Sequence, residues 1–201
     1  MNSNLIRQTL SAILASMMLV ASARAHEFYY DVVFSGPGSP GTGTASVLLD
    51  LDLVTMAIDG SFSGLLGSTT GIVLHCCTVV AGTGSALAAT AELTPSGFPL
   101  GVSSGNISLN YDLTQDSTYD PAFVVAQGGQ TYQALNGVIF GAAAGTAYLS
   151  ILTSAVPGGE ITGFLVAAAV PEPASQTLML MGLGALIGLA RWRKLDRLAQ
   201  R

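Results

Sequence analysis

Between His26 and Val170 the sequence has no lysine and no arginine; all seven basic residues lie in the first 24 or the last 11 positions. The same stretch carries ten carboxylates, Glu27, Asp31, Asp50, Asp52, Asp59, Glu92, Asp112, Asp116, Asp120 and Glu160, so a whole-chain charge of −5 conceals a central region at −10. Such a region forms no internal Lys or Arg salt bridge. It also repels phosphate backbones, because nucleic-acid binding rests on counterion release by Lys and Arg, and nucleic acid is excluded as a partner. Charged residues of both signs make up only 9% of the chain, far below the roughly 25% of ordinary soluble domains. That scarcity excludes a typical cytosolic enzyme and a charge-rich disordered tail.

Catalytic machinery is equally sparse. There are two histidines, His26 and His75, and no Gly-x-Ser-x-Gly nucleophile elbow. No EF-hand loop appears, so Asp50, Asp52 and Asp59 read as a solvated acidic face rather than a calcium site. Asp112, Asp116 and Asp120 read as a polar loop rather than a glycosidase carboxylate pair. No enzyme activity and no cofactor are expected.

The ends of the chain carry what the middle lacks. Arg7 precedes an uncharged run over residues 8–22, and Ala23-Arg24-Ala25 follows just before His26. A basic start, a short apolar core and a small-x-small site with Ala23 and Ala25 describe a secretory signal peptide over residues 1–25. At the other end comes Pro171-Glu172-Pro173, then an uncharged stretch over residues 174–190, then Arg191-Trp192-Arg193-Lys194 with Arg197 and Arg201 beyond. As a helix those 17 residues would span about 26 Å, at the short end of what a bilayer core requires. Trp192 suits the headgroup level, and Arg191, Arg193 and Lys194 form a basic stop on the cytoplasmic side.

This tripartite tail resembles the PEP-CTERM sorting signal of Gram-negative bacteria that make exopolysaccharide. The resemblance implies that the Pro171-Glu172-Pro173 triplet is processed by exosortase, a membrane protease, and that the helix is a transient membrane anchor. The expected route is secretion, inner-membrane anchoring in transit, then the cell surface or extracellular matrix, with exopolysaccharide or envelope components as partners.

Between the signals, residues 26–168 read as one β domain. Apolar runs or period-2 alternation mark strands over residues 27–34, 45–51, 54–62, 70–80, 106–113, 148–152 and 161–166, separated by Gly- and Pro-rich turns. Asp120-Pro121 is a helix N-cap with proline at the first position. Thr131 is expected to cap a second helix, with Leu135, Val138, Ile139 and Ala142 on one face. The predicted class is mainly β, a sandwich or barrel with one or two short helices.

Residues 71–77 (GIVLHCC), 94–101 (TPSGFPLG), 145–153 (GTAYLSILT) and 157–165 (PGGEITGFL) resemble a CHRD (chordin-type) domain over about residues 28–165. The resemblance implies an immunoglobulin-like β-sandwich without established catalytic activity. This chain departs from the family at polar positions. A usual His-x-His pair is Val73 and His75, an Asn and a His are Ser150 and Leu152, and an Arg after Glu-Ile is Thr162.

His75, Cys76 and Cys77 form the one soft-ligand cluster. In a strand His75 and Cys77 would face one way and Cys76 the other, which makes His75 with Cys77 a weak metal pair. Adjacent cysteines in an oxidising compartment can also form a vicinal disulfide, Cys76–Cys77, or remain as free or intermolecularly paired thiols. The favoured function is a non-enzymatic structural or adhesive surface protein. The alternative is a metal- or redox-binding module built on His75 and Cys76 or Cys77.

Overall fold

The computed structural model describes residues 26–91 and 94–168, together with Gly182 and Gly184. The chain divides into a unit of residues 1–168 and a unit of residues 169–201. Among the described residues no helix is long and apolar enough to cross a membrane. The signal peptide with Ala23 and Ala25, Pro171, Glu172, Pro173, Arg191, Arg193 and Lys194 lie outside the described residues. So does the stretch 174–190, apart from the two glycines.

The first unit is mainly β, as the strand pattern predicts. Its strands are β1 (Glu27–Phe34), β2 (Thr42–Asp50), β3 (Thr55–Ser63), β4 (Thr69–Cys76), β5 (Leu87–Ala88), β6 (Gly105–Asp112), β7 (Tyr148–Thr153), β8 (Ile161–Phe164) and β9 (Val166–Ala167). They form two antiparallel sheets, ordered β6-β3-β2-β1-β9 and β5-β4-β7-β8. Alternation decides which side chains face inward. Tyr30, Val32 and Phe34 of β1, Val47 and Leu49 of β2, Met56 and Ile58 of β3, and Ile107 and Leu109 of β6 supply one wall of the core. Ile72, Leu74, Leu149, Ile151 and Ile161 supply the other.

The helices α1 (Pro121–Ala126) and α2 (Thr131–Ala143) lie between β6 and β7. Asp120 caps α1 by accepting a 2.8 Å hydrogen bond from the Ala122 amide, and Pro121 opens it, as expected. The second helix starts differently. Gln130 holds the N-cap position without a side-chain bond, and Thr131 is already helical. Its hydroxyl donates instead to Asp116, in the short 3₁₀ turn Asp116–Thr118. The buried face of α2 is Ala134, Val138, Gly141 and Ala142, with Leu135 only partly buried against the core. The face is thus rotated toward its small residues, which lets the helix backbone approach β4 closely.

Three strand boundaries also differ from the pattern. Val54 sits at φ 53° in the β2–β3 turn, where its carbonyl accepts from the Leu113 amide at 2.9 Å. β4 ends at Cys76 rather than running to residue 80, because its partner β7 begins at Tyr148 opposite His75. Beyond that point the Thr78 amide donates to the Thr146 carbonyl. The last expected strand breaks at fully buried Leu165. Residues before it pair with β7 and residues after it with β1, so the chain changes sheets there.

Candidate functional site: the vicinal cysteines, the adjoining cleft and the Glu160 clamp

Cys76 is the last residue of β4 and points into the core, 2% exposed. Cys77 lies beyond the strand, exposed, and its sulfur is bonded to that of Cys76. Both sulfurs rest 3.4 Å from the Gly137 carbonyl oxygen of α2. A disulfide sulfur has no hydrogen to give, so these are close S···O contacts. A Cβ on Gly141 would stand 2.2 Å from the Cys76 sulfur and 2.8 Å from that of Cys77, so only glycine lets the pair seat on the helix. Glycine inside a helix costs about 1 kcal/mol against alanine; here the disulfide fills the space that this leaves.

His75 takes another direction. Its ring stacks on Tyr148 across the β4–β7 pair, with centroids 4.7 Å apart and planes 6° apart, and Nδ1 lies 3.1 Å from the Ala86 carbonyl. Burial lowers the His75 pKa, offset in part by the Ala86 carbonyl. The ring stacks on Tyr148 while Cys77 is tied to Cys76 beside α2, an arrangement that does not point His75 and Cys77 at a common ion. The expected two-face alternation fails at Cys77 because the strand has already ended. Among the described residues no group of three or more His, Cys, Asp or Glu side chains is placed to hold a metal ion.

The acidic residues serve local structure. Asp50 accepts from the Asp52 and Leu53 amides in the β2–β3 turn, and Asp52 meets His26 Nδ1 at 2.9 Å. Asp112 accepts from the amide and hydroxyl of Thr114 and from Gln115, which holds its carboxyl below the usual range.

Glu160 is the exception; sequence reasoning counted it among ten carboxylates and within the 157–165 segment of the CHRD resemblance, and gave it no role of its own. It is 4% exposed. Its carboxylate accepts from the Ser39 hydroxyl at 2.6 Å, the Leu66 amide at 2.6 Å, the Gly67 amide at 3.1 Å and the Thr153 hydroxyl at 2.7 Å. With no cation in the region, amides and hydroxyls do the compensating that a buried charge requires. Burial by itself raises the pKa; the bonds from Ser39, Leu66, Thr153 and Gly67 outweigh it and take the group from 4.5 to about 2. One side chain thereby ties the β1–β2 turn, the β3–β4 turn and the end of β7 together.

Beside Cys77 a cleft of about 480 Å³ opens, lined by Cys77, Gln127, Gln133, Asn136, Phe140 and Thr146, with Gly137, Gly141 and Ala144 as its floor. Of these, only Cys77 was singled out from sequence as a candidate site residue. The two mid-helix glycines, four residues apart in α2 and therefore on one face, were the available signal.

Against known proteins, residues 169–194 match the PEP-CTERM protein-sorting motif. No curated protein and no solved structure matches the chain. The motif implies an exported protein. Its particular route is the exosortase one, secretion followed by processing at the membrane by that protease in a Gram-negative bacterium.

Proposed function

We propose that this chain is a non-enzymatic surface or matrix protein whose central domain is of the CHRD type with an immunoglobulin-like sandwich, released by exosortase cleavage near Pro171-Glu172-Pro173. The sorting motif at residues 169–194 carries the reading. Support for the CHRD assignment comes from register. Val73 lies opposite Ser150, which lies opposite Thr162, and His75 lies opposite Tyr148. Gly71 is paired with Leu152. The positions at which the chain departs from the family thus share the face of β4-β7-β8 turned away from the core. The Pro157-Gly158-Gly159-Glu160-Ile161 segment also gains a physical reason, because Glu160 is the clamp of the domain.

The domain's contacts are adhesive or structural, with exopolysaccharide or envelope components as partners. Mass spectrometry of protein recovered from an exosortase-bearing host tests the sorting step. Chains ending between Val170 and Pro173 are expected; recovery only of chains extending to Arg201 refutes it. A redox module is the second reading, favoured over metal binding by the Cys76–Cys77 bond, since thiolates rather than disulfides ligate metals.

A further inference from the structure

The cleft beside Cys77 has a composition that selects its ligand. Its side chains are the amides of Gln127, Gln133 and Asn136, the Thr146 hydroxyl, the Phe140 ring and the Cys77 sulfur, and among the described residues no ionisable group lines it. Phosphates, carboxylates and amines therefore find no counter-charge in it. A purely apolar ligand would leave three amides desolvated, which is costly. Amides present a donor and an acceptor side by side, the pattern that matches adjacent hydroxyls. Phe140 is 70% exposed, and an aromatic face is the usual apolar surface for the C–H side of a sugar ring.

Two of the amides pack over glycines. The Gln127 amide lies over Gly137, where a Cβ would come within 2.7 Å of its Oε1. The Gln133 amide lies over Gly128, at φ +116°, within 2.6 Å of the same construction. Gln133 Oε1 is shielded from solvent and has no hydrogen-bond partner. That oxygen packs against Gly128 and is not a contact for an entering ligand. Together, the uncharged lining with its amides and the exposed ring describe one chemical class.

We infer that this cleft binds a neutral polyhydroxylated ligand, a glycan chain, with Asn136, Gln127 and Gln133 bonding its hydroxyls and Phe140 stacking on a sugar ring. The inference deepens the non-enzymatic binding role proposed above and rests on it. Cys77 of the Cys76–Cys77 disulfide also lines the cleft, so reducing the pair is expected to weaken binding.

The test is an immobilised glycan array of neutral and acidic oligosaccharides, probed with the full chain and with Phe140→Ala and Asn136→Ala. Both substitutions fall on exposed positions, so folding is checked but not endangered. Binding to neutral glycans is expected, weakened about ten-fold by either substitution, the loss of about 1.4 kcal/mol, and weakened again after treatment with a dithiol reductant. No neutral-glycan binding, binding confined to acidic glycans, or neutral binding that both variants retain unchanged overturns the inference. The C-terminus of each preparation is determined in parallel. Correct trimming without glycan binding refutes the cleft alone; untrimmed chains count against the sorting reading.

Discussion

Replacing Glu160 by glutamine keeps the shape of the side chain and removes its charge, and the consequence depends on pH in a definite direction. The folded pKa is about 2 against an ordinary 4.5. A depressed carboxylate pKa stabilises the folded state above the unfolded value, and that stability is lost as pH falls through the folded value. At 1.36 kcal/mol per pH unit the gap corresponds to about 3 kcal/mol. Screening at the end of a sandwich reduces it, so about 1.5–3 kcal/mol is expected. The contribution is complete above about pH 4.5 and gone near pH 2. Glutamine also turns an NH₂ toward donors, the Leu66 and Gly67 amides or the Ser39 and Thr153 hydroxyls, which leaves one of them unpaired at a cost of about 1–3 kcal/mol.

The assay is urea denaturation of the wild-type and Glu160→Gln proteins at a series of pH values from 7 down to 2. At pH 7 the variant is less stable by about 2.5–6 kcal/mol, combining the lost charge with the donor mismatch. Protonating the other carboxylates relieves the self-repulsion of a region at −10 and acts on both proteins alike, so the difference between the curves isolates Glu160. That difference narrows between pH 4.5 and 2. Parallel curves over this range would refute the reasoning, since they would mean that Glu160 does not hold its charge in the fold more tightly than in the unfolded chain.

Other outcomes follow from the same geometry. Gly141→Ala drives a methyl into both sulfurs and lowers stability by about 1–3 kcal/mol despite the better helix propensity, whereas Gly137→Ala meets only the flexible Gln127 amide and is near neutral; a Gly141→Ala melt at or above wild type contradicts the packing. No thiol reacts with a chromogenic disulfide in the unfolded, unreduced protein, and two appear after reduction, if Cys76 and Cys77 are paired as placed; two reactive thiols at the outset contradict it. Asp120→Ala removes the only side-chain cap of α1 and costs about 1 kcal/mol, read as a shift in the denaturation midpoint.

Much of the β architecture was legible in the chain because period-2 alternation reports directly on a face buried against a core. The inward residues of β3 and β6 are those the alternation marks, whereas β1 reads only as an apolar run whose inward face the sequence leaves open, and the Asp120-Pro121 helix start is a local signal satisfied locally. The sorting motif was legible for a related reason. A triplet, an apolar stretch and a basic cluster act through composition and order along the chain, with no need of tertiary contacts. Helix α2 was placed with Val138 and Ala142 inward as expected, but its face is rotated toward Ala134 and Gly141, since a long apolar side chain signals burial more loudly than the alanines and glycines that permit close approach.

What the sequence determined by itself was the lack of cations in the central region, the strands and the sorting tail, all properties of neighbouring residues. Only the tertiary structure decided that Glu160 gathers Ser39, Leu66, Gly67 and Thr153, that the disulfide seats on Gly137 and Gly141, and that three amides and a ring meet in one cleft. The first two join groups far apart along the chain, and the cleft adds Cys77 and Thr146 to side chains of the two neighbouring helices. Their energies exist only once loops from both sheets have been brought together, and no local pattern records which loops those are.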